Sequence, residues 1–159
     1  MINGMIIRKQ ERAYTYLKKL FDSITPIPLT FKWLISYPEC YPQNQELQTK
    51  LNCNFCILSG QELTDWINQE AFQWIWGTLS AFDPTLSDQA ILNDLVPEND
   101  LYNALWKNPL TLQHPLAVME IVAYDSSCTV ILTKDFSLPE TFRKSYPYAE
   151  DLERYNARA

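Results

Sequence analysis

The sequence predicts an α+β fold: a mostly antiparallel sheet of about five strands, with helices packed on one face and at its ends. Segments that alternate apolar and polar residues, as strands do, are interspersed with segments whose apolar residues recur at helical spacing. Hydrophobic residues make up 47% of the chain and aromatic residues 13%, which excludes a disordered protein. At 159 residues the chain is expected to form one globular domain spanning 1–159, because domains have about 100–200 residues.

The first helix is predicted over residues 5–21. Tyr14, Leu17 and Phe21 recur at helical spacing, and the basic residues of the segment lie largely on the other sides. This apolar face needs a partner surface. The helix is therefore expected to belong to the domain, with its basic side near the acidic middle of the chain.

Two capping boxes predict the starts of later helices. Residues 59–62 read Ser-Gly-Gln-Glu and predict a helix that runs to about residue 70. Residues 137–140 read Ser-Leu-Pro-Glu and predict a helix that breaks near Pro147. Shorter helices are predicted near residues 46–51 and over 98–107.

Five strands are predicted from alternating or continuous apolar runs. The last two should form a hairpin, because three turn-forming residues, Asp125–Ser127, separate them. Residues 72–82 are apolar on both faces and should be covered on both sides, with Trp74 and Trp76 together on one face. The predicted strands are residues 29–37, 53–58, 72–82, 116–124 and 128–133.

The charge distribution indicates what kind of partner the chain can bind. Its 19 acidic and 13 basic residues give a net charge of −6, which disfavours direct nucleic-acid binding because phosphates require a basic surface. Residues 1–32 hold six basic and two acidic residues, whereas residues 33–133 hold two basic and twelve acidic ones. The densest acidic stretch has five acids and no basic residue: Asp83, Asp88, Asp94, Glu98 and Asp100.

The cysteines and the single histidine are the candidates for metal binding or catalysis. Cys53-x-x-Cys56 has a spacing found in zinc and redox sites, and Cys40 and Cys128 could complete four ligands. The pair falls inside a predicted strand, however, and no second close pair exists, so free thiols with no metal are expected. His114 lies before a strand with no local signature of a cysteine–histidine pair, so a surface or capping residue is expected.

Other motifs of chemistry and targeting are missing from the sequence. Three glycines cannot build a phosphate loop or a dinucleotide fingerprint, and no cofactor is expected. No run of about 18 apolar residues is present, so no membrane span is expected. The first residues lack the order of a signal peptide, which favours a cytoplasmic protein.

The candidate site is therefore a partner-binding surface. The five acids between Asp83 and Asp100 suit a basic protein partner, which they would attract electrostatically, and Trp74 and Trp76 would anchor it if their strand face is open. Two alternatives remain open from the sequence. The acids can be an ordinary solvated surface, and the tryptophans can be core residues.

Three segments carry a resemblance to known proteins. They are Phe31–Ser36, Leu58–Leu63, and Tyr124–Ser127 followed by Lys134-Asp135. In their order they are similar to an uncharacterised family of small bacterial proteins. More broadly, the small acidic α+β chain resembles the immunity proteins of bacterial toxin–immunity systems. The resemblance implies a non-enzymatic inhibitor that neutralises a cognate toxin by stoichiometric occlusion. Alternatives are a phage or host-defence modulator that acts by protein binding, and a small thiol or carboxylate enzyme.

Overall fold

A computed structural model describes all residues from 1 to 159. Its centre is one seven-stranded sheet in which all neighbouring strands are antiparallel, in the order β3-β2-β4-β5-β6-β1-β7. The predicted α+β class and antiparallel sheet are confirmed, although the sheet has seven strands where about five were predicted. The strands are β1 Asn3–Ile7, β2 Lys32–Cys40, β3 Phe55–Ser59, β4 Trp74–Phe82, β5 Met119–Tyr124, β6 Cys128–Thr133 and β7 Glu150–Asp151.

Six α-helices and two 3-10 turns connect these strands. The helices are α1 Leu17–Ser23, α2 Gln45–Leu51, α3 Gly60–Gln69, α4 Asp88–Leu92, α5 Leu138–Ser145 and α6 Leu152–Arg158. The 3-10 turns are Ile27–Thr30 and Glu98–Asp100. None of these helices is long and apolar enough to cross a membrane.

The N-terminal segment is the clearest departure from the sequence prediction. The helix predicted over 5–21 is wrong in its first half, where residues 3–7 form strand β1 between β6 and β7. Met5, Ile6 and Ile7 are all at most 2% exposed, so successive side chains are buried on opposite faces of the sheet. A continuous apolar run of this kind is typical of an interior strand, and only Leu17–Ser23 forms helix.

The main core lies between one face of the sheet and helices α1, α2, α3 and α5. The capping box of α3 forms as predicted: the Ser59 hydroxyl accepts from the Glu62 N–H, and the Glu62 carboxylate accepts from the Ser59 N–H. Leu63 and Trp66 of α3 are buried against the sheet. At the start of this helix Gly60 lies against the backbone of Leu29, so the helix packs closely on the first 3-10 turn.

The second face of the sheet is also covered, mainly by the long connection between β4 and β5. Leu105 and Leu110 pack with Val122 and Val130 of the sheet, together with Leu152 of α6. Near the two ends of the same connection, Ile91 and Ala117 pack with Leu34 and Phe82. The sheet is therefore the middle layer of three, whereas the sequence predicted helices on one face and at the ends.

Two local helix predictions also fail. Only Glu98–Asp100 of the predicted helix 98–107 forms a 3-10 turn, and the following residues form successive turns. The capping box at Ser137 does not form, because the Ser137 hydroxyl donates to the Asp135 carboxylate 2.7 Å away. Helix α5 still starts there and has a proline in its first turn, as predicted.

Candidate functional site: an acidic–aromatic groove

An open cavity of about 550 Å³ lies where one end of β2 and β4 meets the Glu98–Tyr102 turns and the loop between α2 and β3. We call it the acidic–aromatic groove. Its size falls within the range of about 300–1,000 Å³ typical of ligand pockets. The groove is lined by Tyr37, Pro38, Glu39, Leu51, Asn52, Cys53, Asn54, Trp76, Glu98 and Tyr102.

Irregularities in strands β2 and β4 form the floor of the groove. The pairing of the two strands shifts between Ser36 and Glu39, and again between Glu39 and Cys40. Tyr37 has a φ of 46° and Gly77 a φ of 147°, conformations that regular strands do not adopt. Bulges of this kind bend a strand and redirect its side chains, and they are common next to functional sites.

The second register shift also decides where the two tryptophans of β4 point. Cys40 pairs with Trp74 and the neighbouring Glu39 pairs with Trp76, so Ile75 is an extra residue in β4. Trp74 therefore turns into the main core and is 1% exposed, while Trp76 points to the opposite face. The prediction that both share one face is wrong, and of its two alternatives core packing applies to Trp74.

Trp76 is held by other aromatic rings. Its ring centroid lies 5.1 Å from that of Tyr102 and 4.8 Å from that of Tyr124. Tyr102 itself has a φ of 74°, and its hydroxyl is buried beside the Thr78 hydroxyl without a well-formed hydrogen bond. Burial raises the pKa of Tyr102, so this wall of the groove stays uncharged at neutral pH.

Two carboxylates give the groove its charge. Glu39 of β2 and Glu98 of the 3-10 turn are both exposed, and the lining contains no lysine, arginine or histidine. The Glu39 carboxylate accepts a hydrogen bond from the hydroxyl of Tyr41 at 3.2 Å, and the charge of Glu39 raises the pKa of Tyr41. The groove therefore combines negative charge with aromatic surface, a combination that favours cations.

A second open cavity of about 650 Å³ continues from the groove, and we call it the trough. The two share Pro38, Glu39, Leu51 and Asn52, so they form one continuous depression. Most of the residues that line only the trough are polar and uncharged. The trough is lined by Pro38, Glu39, Cys40, Tyr41, Pro42, Gln43, Gln48, Leu51 and Asn52.

Only part of the sequence-predicted site lies in the groove. Trp76 and Glu98 line it, and Trp74 is buried in the core. The acids Asp83, Asp88, Asp94 and Asp100 are exposed but outside the lining.

Two of these outlying acids have local partners. The Asp88 carboxylate pairs with the Lys32 ammonium at 2.9 Å. Asp83 accepts from the backbone N–H and the hydroxyl of Thr85, and these bonds lower the pKa of Asp83. Both acids therefore support local structure in addition to any role in binding.

Glu39, Tyr37 and Tyr102 were not singled out in the sequence. In the sequence, Glu39 is a single acid in a segment without a regular pattern. Tyr102 is one of the apolar residues of the predicted helix 98–107. Their place in the groove depends on bulges and turns that have no strong sequence pattern.

The four cysteines were the sequence's candidates for a metal or redox site. All four are free, and no three His, Cys, Asp or Glu side chains come together as a metal site. Burial raises the pKa of Cys40 to about 12 and that of Cys56 to about 11, so both thiols are protonated at neutral pH. Cys53 lines the groove, and burial raises its pKa as well.

His114 belongs to a buried polar cluster around Glu120. The Glu120 carboxylate accepts from the Ser80 hydroxyl at 2.6 Å and from the backbone N–H groups of Gln113 and His114. The His114 ring accepts from the Leu116 N–H through Nδ1, so its Nε2–H donates to the Ile91 carbonyl oxygen at 2.9 Å. Glu120 is 0% exposed and His114 is 2% exposed, so a substrate cannot reach either side chain.

Desolvation raises the pKa of Glu120 to about 7, and the three hydrogen bonds oppose this shift. The cluster ties the end of the β4–β5 connection to strands β4 and β5. It is thus a structural element beneath the same connection that carries Glu98 and Tyr102.

The chain was compared with protein families, with curated proteins and with solved structures, and none of the three comparisons found a match.

Proposed function

We propose that this protein is a binding inhibitor of the immunity type, which neutralises a cognate toxin by occupying a basic surface of that toxin with the acidic–aromatic groove. The observation that carries the proposal is the composition of the groove. Glu39 and Glu98 stand beside Trp76 and two tyrosines, with no basic residue in the lining. Charge complementarity accelerates association with a basic protein, and aromatic side chains supply much of the binding energy of interfaces.

The arrangement of charge over the molecule supports the same conclusion. The basic N-terminal segment forms β1 and then passes the start of β4, where the backbones of Thr15 and Trp74 hydrogen-bond to each other. Four of its six basic residues are in ion pairs, which partly neutralise the segment: Arg8, Lys18, Lys19 and Lys32. The groove side keeps its negative charge, and a basic partner is therefore directed toward the groove.

The five acids of the sequence-predicted surface have different parts in this proposal. Glu98 is in contact with the partner. Asp83, Asp88, Asp94 and Asp100 are exposed outside the groove, with Asp83 and Asp88 at the opposite end of β4 from Trp76, so they do not contact the partner and their charges are largely screened at physiological salt. A phage or host-defence modulator could use the same groove, and the partner protein distinguishes the two functions.

The test is coexpression with the product of the neighbouring gene in the source genome. If that product is a toxin, the wild-type chain should restore growth and should copurify with the tagged toxin in a one-to-one complex. The double variant Glu39→Lys/Glu98→Lys should lose both effects while keeping its melting temperature. Asp94→Lys is the matched control, because Asp94 is also exposed but lies outside the groove. A groove variant that protects as well as wild type would contradict the proposal.

A further inference from the structure

We infer that the acidic–aromatic groove binds an arginine side chain of the partner, with the guanidinium group against Trp76 and between Glu39 and Glu98. The flanking backbone of the partner then lies along the trough. This inference specifies the ligand of the site and takes its biological role from the proposed function.

Charge and pairing point to a cation with several hydrogen-bond donors. The carboxylates of Glu39 and Glu98 come from different parts of the chain and line one cavity. Neither takes part in any of the seven ion pairs of the structure. The only side-chain hydrogen bond of either carboxylate is the one that Glu39 accepts from Tyr41. Most of their acceptor capacity is therefore free, and a guanidinium group has five donors.

The aromatic lining favours arginine over lysine. Trp76 is partly exposed in the groove, and the Tyr102 and Tyr124 rings fix its position from the side. A guanidinium group is planar and weakly hydrated, so it stacks on aromatic rings and still donates to carboxylates. An ammonium group is compact and strongly hydrated, and it gains less from such a surface.

The trough favours an arginine within a peptide segment over a free small cation. It extends the groove along residues 38–43, and side-chain amides from Gln43, Gln48 and Asn52 line it. Amide groups can both donate to and accept from a peptide backbone. The Gln48 amide already donates to the Pro42 and Gln43 carbonyls, which fixes this wall in place.

The experiment is an NMR titration of the full chain with three peptides, acetyl-Gly-Arg-Gly-amide and its lysine and citrulline counterparts. Citrulline has the shape of arginine without the charge. The indole N–H signal of Trp76 is assigned from the spectrum of Trp76→Phe. The arginine peptide should shift this signal saturably, more strongly than the lysine peptide, and the citrulline peptide should bind at least tenfold more weakly.

Matched variants locate the site. Glu39→Gln and Glu98→Gln should each weaken arginine-peptide binding by about tenfold, and Asp94→Asn should leave it unchanged. Equal binding of the citrulline peptide, or equal effects of Asp94→Asn and Glu98→Gln, would overturn the inference. So would a saturable response to a neutral sugar and none to arginine.

The two proposals fail in different ways. If the partner protein binds through the groove but the arginine peptide does not, the inference is overturned and the proposed function stands. If the arginine peptide binds in the groove but the chain neutralises no partner, the inference stands and the proposed function is overturned.

Discussion

Replacing Glu120 by glutamine should remove a fall in stability that we expect of the wild-type protein as the pH rises from about 5 to 8. Glu120 is completely buried, and desolvation raises its pKa from 4.5 to about 7 in the folded protein. The folded protein therefore keeps a proton that the unfolded chain releases. The stabilisation is complete below about pH 4.5 and is lost as the pH rises through about 7.

The magnitude follows from the difference between the two pKa values. A shift of one unit corresponds to about 1.4 kcal/mol, so the full effect is about 3 kcal/mol. Between pH 5 and 8 the wild-type protein should lose about 2–3 kcal/mol from this group. Glutamine does not titrate. With its carbonyl oxygen accepting from the Gln113 N–H, its amide can donate to the Ser80 hydroxyl.

The assay is urea unfolding of wild type and Glu120→Gln at closely spaced pH values. The difference in free energy of unfolding between the two proteins is the quantity of interest, because the other titrating groups cancel in it. That difference should change by about 2–3 kcal/mol in favour of the variant between pH 5 and 8. Glu153→Gln, at an exposed position of α6, should show no such change.

Parallel pH profiles of wild type and Glu120→Gln would refute the reasoning, because they would mean that Glu120 is ionised throughout. Ser80→Ala gives a second check. The hydrogen bond from Ser80 lowers the pKa of Glu120, so its removal should move the fall in stability to higher pH. A move to lower pH would also contradict the account.

The remaining predictions concern packing, thiols and surface charge. Gly60→Ala should destabilise the fold by about 1–3 kcal/mol or more in a denaturant titration, because the new Cβ would lie only 2.8 Å from the Leu29 Cα. At pH 8 Cys56 should react with a thiol reagent about a hundredfold more slowly than in the unfolded chain, since burial raises its pKa to about 11, and equal rates would contradict this. Asp88→Lys should cost no more than about 1 kcal/mol by thermal unfolding, because Asp88 is 63% exposed in its pair with Lys32, and a larger loss would mean that the pair supports the fold.

Three local sequence patterns predicted local structure correctly. The capping box at Ser59, the hairpin around Asp125–Ser127 and the helix near residues 46–51 are all confirmed. Each depends on residues close together in the chain, where turn chemistry and hydrophobic period act directly. The sequence also showed that the middle of the chain is acidic. One of these acidic residues, Glu98, lines the groove.

Tertiary context overrides local pattern at the N-terminus. The apolar set Tyr14, Leu17 and Phe21 suggested one long helix. The preceding Met5–Ile7 run is instead an interior strand held by β6 and β7. A short apolar run fits a buried strand or a helix equally well, and only its partners decide.

The groove was beyond the reach of sequence patterns because it combines distant segments. Residues 37–39, 51–54, 76, 98 and 102 meet only after the sheet has formed. Because of the bulge at Ile75, the side chains of Trp74 and Trp76 point to opposite faces of the sheet. A single extra residue of this kind has no reliable sequence signal. Trp76 lines the groove, whereas Trp74, which was predicted to share its strand face, is buried in the core.

The most direct test of the central claim is the rate at which the protein associates with its partner toxin, measured across a salt series. Wild type and Asp94→Lys should associate at similar rates near physiological salt, and both rates should fall as salt is added. Glu98→Lys should associate more slowly and also dissociate faster, because it removes attraction and a contact in the groove. If Glu98→Lys matches Asp94→Lys in both rates at every salt concentration, the groove is not the binding site and the account is wrong.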